Sequence, residues 1–393
     1  MAIKELKRTW AYIDLDNAEH NFKLIKSFTD KKVCAVIKAN GYGHGAVQLG
    51  KLYQHLGADF FAVSNIEEAI QLRNNQITLP ILVLGYTPIE CAKVLVKYDI
   101  HQAVFSLEYA IALVNKCKEQ NIKVNVHLKF DTGMGRIGFA TDNKTLDELS
   151  QILSTDAICV QGAFTHFAVA DEAQDGKDYT EAQAQKFDYA VKCLEQKGIK
   201  TPIKHCSNSA GIIDYKHYHF DMVRAGIILY GLTPSDKVGG DIGLKKVMQL
   251  TSVISHIKTI EKGQSVSYGR TFTATDTMKV ATVPIGYADG FWRSNGNGKY
   301  SLKVNGKYAT IIGRICMDQL MLDVTDIDCK VGDEVFVFGQ DELCSTEQIA
   351  KINQTINYEV VCAVGERVPR VYIKGGKVVE YQDNLIDTNK EFN

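Results

Sequence analysis

No apolar run in the 393-residue chain approaches the ~20 residues that a membrane-spanning helix needs. The opening residues, Met1-Ala-Ile-Lys-Glu-Leu-Lys-Arg8, lack the apolar centre of a secretory signal. Neither sign of charge is in excess. Lys and Arg number 45 against 46 Asp and Glu, so the formal charge is -1 and no basic field recruits nucleic acid or an anionic membrane. The ten cysteines, at 34, 91, 117, 159, 193, 206, 316, 329, 344 and 362, include no C-x-x-C pair, which excludes a zinc ribbon and a thioredoxin-like motif. Scattered cysteines without an export signal read as reduced thiols of a cytoplasmic protein. Low-complexity segments are also absent, and nothing in the sequence calls for a metal.

What is present is ordinary for a globular protein: 45% hydrophobic and 23% charged residues. The length suits two or three domains of ~100–200 residues and a sizeable core. Aromatic residues are mainly tyrosine (18) and phenylalanine (16), with only 2 tryptophans, so some phenols are available for more than packing.

Between about residues 33 and 231, β-rich runs alternate with amphipathic stretches. The runs are Val33–Ile37, Phe60–Ser64, Ile81–Gly85, Gln102–Ser106, Lys123–Asp131, Ile158–Phe167, Ile203–Ser207 and Val223–Tyr230. Ala46–Leu56, Ile66–Arg73, Leu107–Gln120 and Thr180–Lys197 carry helical periodicity between them. Eight βα units predict a (β/α)8 barrel with its site at the strand C-termini, although an open doubly wound sheet gives the same alternation. After about residue 242 short alternating strands take over, at Met278–Ile285, Tyr308–Gly313, Leu320–Val324 and Glu334–Gly339. The expectation is an α/β chain: a barrel over residues 1–242, a mostly-β domain over 243–383, and a polar tail at 384–393.

The first barrel run ends on Lys38, followed by Ala-Asn-Gly-Tyr-Gly-His-Gly45. A lysine closing a buried strand is poorly solvated, which favours the neutral, nucleophilic amine; a lysine snorkelling to the rim is the plainer explanation. Gly41-x-Gly43-x-x-Ala46 also matches the dinucleotide fingerprint. That alternative requires an acid closing the second strand, and Val63-Ser64-Asn65 supplies none. The fifth run carries Lys129 and Asp131, then a glycine-rich turn with Arg136; the sixth ends at His166. Asn208 and Ser209 follow the seventh, where they are ordinary helix caps unless the barrel's phosphate site lies there. Arg224-Ala-Gly226-Ile227 closes the eighth, its glycine leaving an amide open to an anion. A lysine on strand one facing a phosphate site after strands seven and eight suggests pyridoxal 5'-phosphate.

These residues lie in motifs that resemble the alanine racemases, the fold-type-III pyridoxal-phosphate enzymes, over nearly the whole chain. The motifs are Ala35-Val-Ile-Lys-Ala-Asn-Gly-Tyr-Gly-His-Gly45, Asp131-Thr-Gly-Met-Gly-Arg-Ile-Gly138, Phe164-Thr-His-Phe167, His205-Cys-Ser-Asn-Ser-Ala210 and Val223-Arg-Ala-Gly-Ile227. In the second domain they are Val266-Ser-Tyr-Gly269, Ile285-Gly-Tyr-Ala-Asp-Gly290, Gly313-Arg-Ile-Cys-Met-Asp-Gln319, Asn357-Tyr-Glu359 and Arg367-Val-Pro-Arg370. Gly41 stands where the family pattern has alanine.

The resemblance implies an isomerase that interconverts L- and D-alanine and supplies D-alanine for peptidoglycan. Lys38 would carry the cofactor as an internal aldimine and act as one base, and Tyr268 would be the other. Tyr42, Asn208, Ser209, Gly226, Ile227 and Tyr358 would hold the phosphate. His166 would stack on the pyridine ring, with Arg224 at its nitrogen. Arg136 would contact the phenolic oxygen and help Met317 and Tyr287 place the substrate carboxylate. Lys129 would be a carbamylated lysine that orients Arg136. The implied assembly is a cytoplasmic homodimer with shared active sites, binding a small-molecule substrate and neither nucleic acid nor membrane. Without these motifs, Tyr268 and Tyr287 would be half-buried strand tyrosines and Met317 core filler. A serine or broad-specificity racemase, a basic amino-acid decarboxylase and a non-catalytic pyridoxal-phosphate carrier are the alternatives. The second domain argues against the carrier, and the motifs around Tyr268 and Met317 argue against the decarboxylase.

Overall fold

The computed structural model describes residues 8–386. The signal-sequence expectation at Met1–Arg8 and the expected tail at 384–393 therefore lie largely outside the described residues. By contact the chain divides into two compact units. One takes in Glu19–Gly41 and Ala46–Leu244; the other takes in residues up to Ala18, Tyr42–Gly45 and the chain from Lys245.

In the first unit, eight parallel strands follow in order. They are β2 (Lys32–Val36), β3 (Phe60–Val63), β4 (Ile81–Val83), β5 (Ile100–Val104), β6 (Val124–Lys129), β7 (Ile158–Phe164), β8 (Ile203–His205) and β9 (Met222–Ala225), β1 being the N-terminal strand Thr9–Asp14. From β3 to β8 each pairs with its predecessor, and β9 returns to pair with β2. The β8–β9 seam is joined by the amides of Asp221 and Arg224, which donate to the carbonyls of Lys204 (3.0 Å) and Ser207 (2.9 Å). The result is the barrel. Its strands are near-continuous apolar runs because barrel side chains cover one face and helices the other. The helices start where the sequence caps them: Asn65, Ser106, Asp142 and Asn208 each accept a hydrogen bond from an amide three residues on.

All eight barrel strands stop short of their expected ends, β7 and β9 by the most. β7 ends at Phe164 and β9 at Ala225, because the chain beyond each leaves the sheet. The carbonyls of Thr165, His205 and Cys206 turn to the guanidinium of Arg224, and residues 227–230 close into a 3-10 turn.

The second unit is mostly β. Its ten-stranded sheet runs β11-β14-β17-β16-β15-β18-β10-β1-β19-β20. The strands are β10 (Met248–Val253), β11 (His256–Ile260), β14 (Met278–Val283), β15 (Ser301–Val304), β16 (Lys307–Ile312), β17 (Leu320–Asp323), β18 (Glu334–Phe338), β19 (Arg370–Lys374) and β20 (Lys377–Gln382); β12 (Ser265–Val266) and β13 (Phe272–Thr273) form a separate pair. β1 lies antiparallel to β10 and parallel to β19, which is why the N-terminal residues group with this unit. Among the described residues no helix is long and apolar enough to cross a membrane, and all ten cysteines are free thiols.

Candidate active site

At the C-terminal end of β2 the chain makes an unusual turn. Lys38, half-buried, is followed by five consecutive residues of positive φ: Ala39 (52°), Asn40 (52°), Gly41 (61°), Tyr42 (50°) and Gly43 (79°). Left-handed backbone costs L-residues roughly 1–2 kcal/mol each, so the turn must be held. Glu68 does so: Oε1 accepts from the Ala39 amide and Oε2 from the Ser64 amide, each at 2.7 Å. Asn40 Oδ1 accepts from the Ala46 amide at 3.0 Å and starts the next helix. Gly41 sits where a Cβ would be both left-handed and 3.2 Å from Ala46 N, so the departure to glycine relieves strain. The motif reading gave Glu68 no role. Its signal was the Asn65-x-x-Glu68 spacing of a capping box.

On the same barrel face Arg224 is buried beneath a ring of acceptors. Nη1 donates to His205 O (2.9 Å) and His205 Nδ1 (3.0 Å); Nη2 donates to Thr165 O (2.8 Å), Cys206 O (2.9 Å) and His166 Nδ1 (3.3 Å). Burial draws the guanidinium down to about 10, so it remains a cation at neutral pH. Because arginine only donates, His166 Nδ1 must accept, which leaves the proton on Nε2. Burial first, and Arg224 second, holds His166 neutral, well below the usual imidazole range.

Beyond β8 and β9, two short helical turns begin side by side. Asn208 Oδ1 caps Ser209–Asp214 through Gly211 N (3.0 Å), and Ser209 Oγ accepts from Gly226 N (3.1 Å) just ahead of Ile227–Tyr230. Two converging helix starts with no acidic side chain make a donor set suited to a phosphate. Lys129 is buried, with Nζ donating to Phe130 O at 2.8 Å and lying 5.6 Å from the Phe164 ring centre. Burial, reinforced by Arg224, lowers its pKa to about 7. Arg136 is exposed on the glycine-rich turn 132–138 and has no hydrogen-bond partner among the described residues. These residues fit pyridoxal 5'-phosphate: a lysine amine, an anion cradle and an arginine whose Nε–H lacks a protein acceptor among the described residues.

The second unit holds the remaining candidates. Tyr42 is buried against Tyr358, with ring centres 6.0 Å apart, and burial raises its phenol above the ordinary range. Tyr268, Tyr287 and Met317 are all exposed, at 66%, 41% and 52%. The two tyrosines are thus on turns outside the strands, and Met317 is not in the core. Tyr268 follows Ser267, whose φ of 69° and ψ of 179° lie in a region normally reserved for glycine; Ser267 Oγ donates to Arg314 O at 2.5 Å and fastens the turn. Tyr287 N donates to Cys316 O (3.2 Å) and Ala288 N to Met317 O (3.0 Å). The two loops approach so closely that a Cβ on Gly286 would lie 2.3 Å from both carbonyls.

Residues 13–234 match the family model for the alanine racemase N-terminal domain, and residues 247–372 match that for the C-terminal domain. The chain is 42% identical to alanine racemase 1 of Clostridium acetobutylicum, covering 97% of this chain and 99% of that protein. It is 44% identical to the alanine racemase of Methanococcus maripaludis, covering 93% and 98%. The alanine racemase structure of Clostridium difficile 630 superimposes with a TM-score of 0.92 at 45% identity, over 96% of this chain and 99% of that one. The Bacillus anthracis alanine racemase with bound L-Ala-P does so with 0.90 at 35% identity, over 96% and 98%.

Proposed function

Because the chain belongs to the alanine racemase family, we propose that it interconverts L- and D-alanine by two bases acting on opposite faces of a substrate bound to pyridoxal 5'-phosphate. The observation that carries this reading is the common C-terminal barrel face, where Lys38, the Ser209–Gly226 amide cradle and the buried Arg224 occupy strand ends of one parallel sheet. Pyridoxal 5'-phosphate, when bound, supplies the electron sink that acidifies the substrate Cα–H.

In this reading the Lys38 amine holds the cofactor and then moves the Cα proton of the D enantiomer. Tyr268 moves that of the L enantiomer from the other face. His166, which accepts from Arg224 at Nδ1 and so carries its proton on Nε2, would stack on the pyridine ring. Arg224 would stand at the ring nitrogen as a donor that stays protonated, which would weaken the sink and disfavour side reactions such as transamination. Ser209, Asn208, Gly226, Ile227, Tyr42 and Tyr358 bind the phosphate. Arg136 and the Met317 amide orient the substrate carboxylate, beside Tyr287. Lys129, with much of its amine neutral near pH 7, would form an N–C bond to carbon dioxide and release one proton to solvent, and the resulting carbamate would carry the negative charge that holds Arg136.

The exposure of Tyr268, Tyr287 and Met317 supports a homodimer in which each active site draws on both chains. The reading further assigns the enzyme to the reducing cytoplasm, where ten free thiols persist, and to D-alanine supply for peptidoglycan. Incubation of purified protein with L-alanine and, separately, L-serine, followed by chiral chromatography, tests it. D-alanine formation is expected. Faster turnover of serine would transfer the reading to a serine racemase, and no turnover of either would remove it.

A further inference from the structure

From Arg224 a line of three buried histidines, none of which the proposed chemistry uses, runs through the interior of the barrel. His205 Nδ1 is 3.0 Å from Arg224 Nη1; His205 Nε2 is 3.0 Å from His127 Nδ1; His127 Nε2 is 3.3 Å from His101 Nδ1. Arg224, His205 and His127 are buried, and His101 is only 7% exposed. The rings are not free to turn. His205 stacks on Phe164, with ring centres 4.9 Å apart and planes within 6°. His101 and His127 both stand edge-on to Phe60, at 5.3 and 5.5 Å. The neighbouring strand makes room for the middle ring with a glycine: a Cβ at Gly162 would lie 2.8 Å from His127 Nδ1.

The chemistry of the first link dictates the rest. A guanidinium has five N–H donors and no acceptor, so His205 Nδ1 must be the acceptor. A neutral imidazole has a single N–H, which is then on Nε2 and is donated to His127 Nδ1. By the same step His127 carries its proton on Nε2 and donates to His101 Nδ1, leaving His101 as a third Nε2–H tautomer. Any one ring in the opposite tautomer would set two donors or two acceptors face to face. A proton added to any ring would do the same. Burial keeps the three neutral, lowering His101 to about 4 and holding the other two well below the ordinary imidazole range.

We propose that Arg224, His205, His127 and His101 form a one-way hydrogen-bond relay in which the permanent cation dictates the tautomer of each histidine in turn, and the ordered rings in return hold the guanidinium in place. His127 and His101 are then positioning residues for Arg224. The line cannot conduct protons to the cofactor, because Arg224 accepts none. The relay stands on the geometry alone; only its effect on turnover rests on the proposed role of Arg224.

The test is nitrogen NMR of the purified holoprotein labelled with 15N-histidine. His205, His127 and His101 should each appear as neutral Nε2–H tautomers, with couplings across both N–H···N bonds. An Nδ1–H tautomer at any of them, or missing couplings, would overturn the relay. Arg224→Glu replaces the donor by an acceptor and should flip all three to Nδ1–H. Should that variant not fold, His205→Gln keeps the order of acceptor and donor and should leave His127 and His101 unchanged, whereas His205→Phe should leave them as tautomer mixtures. Identical spectra for Gln and Phe would overturn the proposal. For the link to turnover, His101→Leu should lower kcat about fivefold with little change in KM. His101→Gln, which still accepts from His127, should restore most of it. Intact couplings with an unmoved kcat would refute the positioning role and leave the racemase reading standing.

Discussion

The buried carboxylate of Asp289 lies 2.8 Å from Arg367 Nε, while Arg367 Nη2 reaches Asp318 Oδ1 at 2.5 Å. Asp289 also accepts from the Gly286 amide at 2.9 Å and from Arg8 Nη2 at 2.5 Å. One carboxylate thereby ties the loop carrying Tyr287 to the loop carrying Met317.

Asp289→Asn should loosen both loops. Burial raises the carboxyl pKa, but Arg8, Arg367 and the Gly286 amide outweigh burial and leave it below the ordinary value. A lowered folded pKa contributes stability above the unfolded value of about 3.9, lost as pH falls through the folded pKa. Removing the charge takes the carboxylate from Arg8 and leaves Arg367 with Asp318 alone, at a cost on the order of 1–3 kcal/mol. Urea midpoints at pH 7 and pH 3 check this: the variant should lose stability at pH 7 and show a smaller loss on acidification than the parent.

Lys38 is expected to carry the cofactor. Borohydride reduction of the purified protein should attach it covalently to the peptide containing Lys38, as mass spectrometry reads directly. Attachment to another lysine would remove Lys38 from the mechanism.

Glu68→Gln should weaken the left-handed turn. Glutamine has one acceptor where Ala39 N–H and Ser64 N–H require two, so about 1–2 kcal/mol of stability should be lost. The extent of borohydride labelling at Lys38 should fall in parallel with it. An unchanged denaturation midpoint would show that Glu68 holds nothing.

Lys129 should form a carbamate. Protein equilibrated with 13C-bicarbonate should give a carbamate carbon signal that is absent from Lys129→Met. Because the amine is neutral above about pH 7, the signal should grow as pH rises through that value. A signal indifferent to Lys129→Met would belong to another amine.

Complementation tests the shared site. Lys38→Ala and Tyr268→Phe homodimers should each be nearly inactive. Dissociated and reassociated together, they should regain up to about half the parent activity per mixed dimer, since one site then holds both bases. Mixed dimers without recovery would put both bases in one chain or deprive Tyr268 of its role.

The barrel was legible in the sequence because buried parallel strands are short apolar runs, and eight of them recur between amphipathic stretches. The mostly-β character after residue 242 was legible by alternation. Lys38, His166 and Arg224 were legible as polar residues at the ends of apolar runs, and Arg136, Asn208 and Ser209 as polar residues in the turns that follow them. The attachment of Thr9–Asp14 to β10 and β19 was not, since nothing local distinguishes a strand that pairs with partners more than two hundred residues away. Nor was the exposure of Tyr268: a tyrosine beside β-rich sequence reads as half-buried until the Ser267 backbone turns it outward. The roles of Glu68, Asp289 and the three barrel histidines were not legible for the same reason, although Glu68 stands at capping-box spacing and His205 and Asp289 lie within the motifs. Their partners are distant backbone amides, arginines and one another, and a hydrogen bond made by a side chain across a fold leaves no periodicity in the chain. The sequence alone determined which residue types stand at the strand ends. Only the tertiary structure decided which way each proton points, because that depends on donors and acceptors brought within about 3 Å by packing.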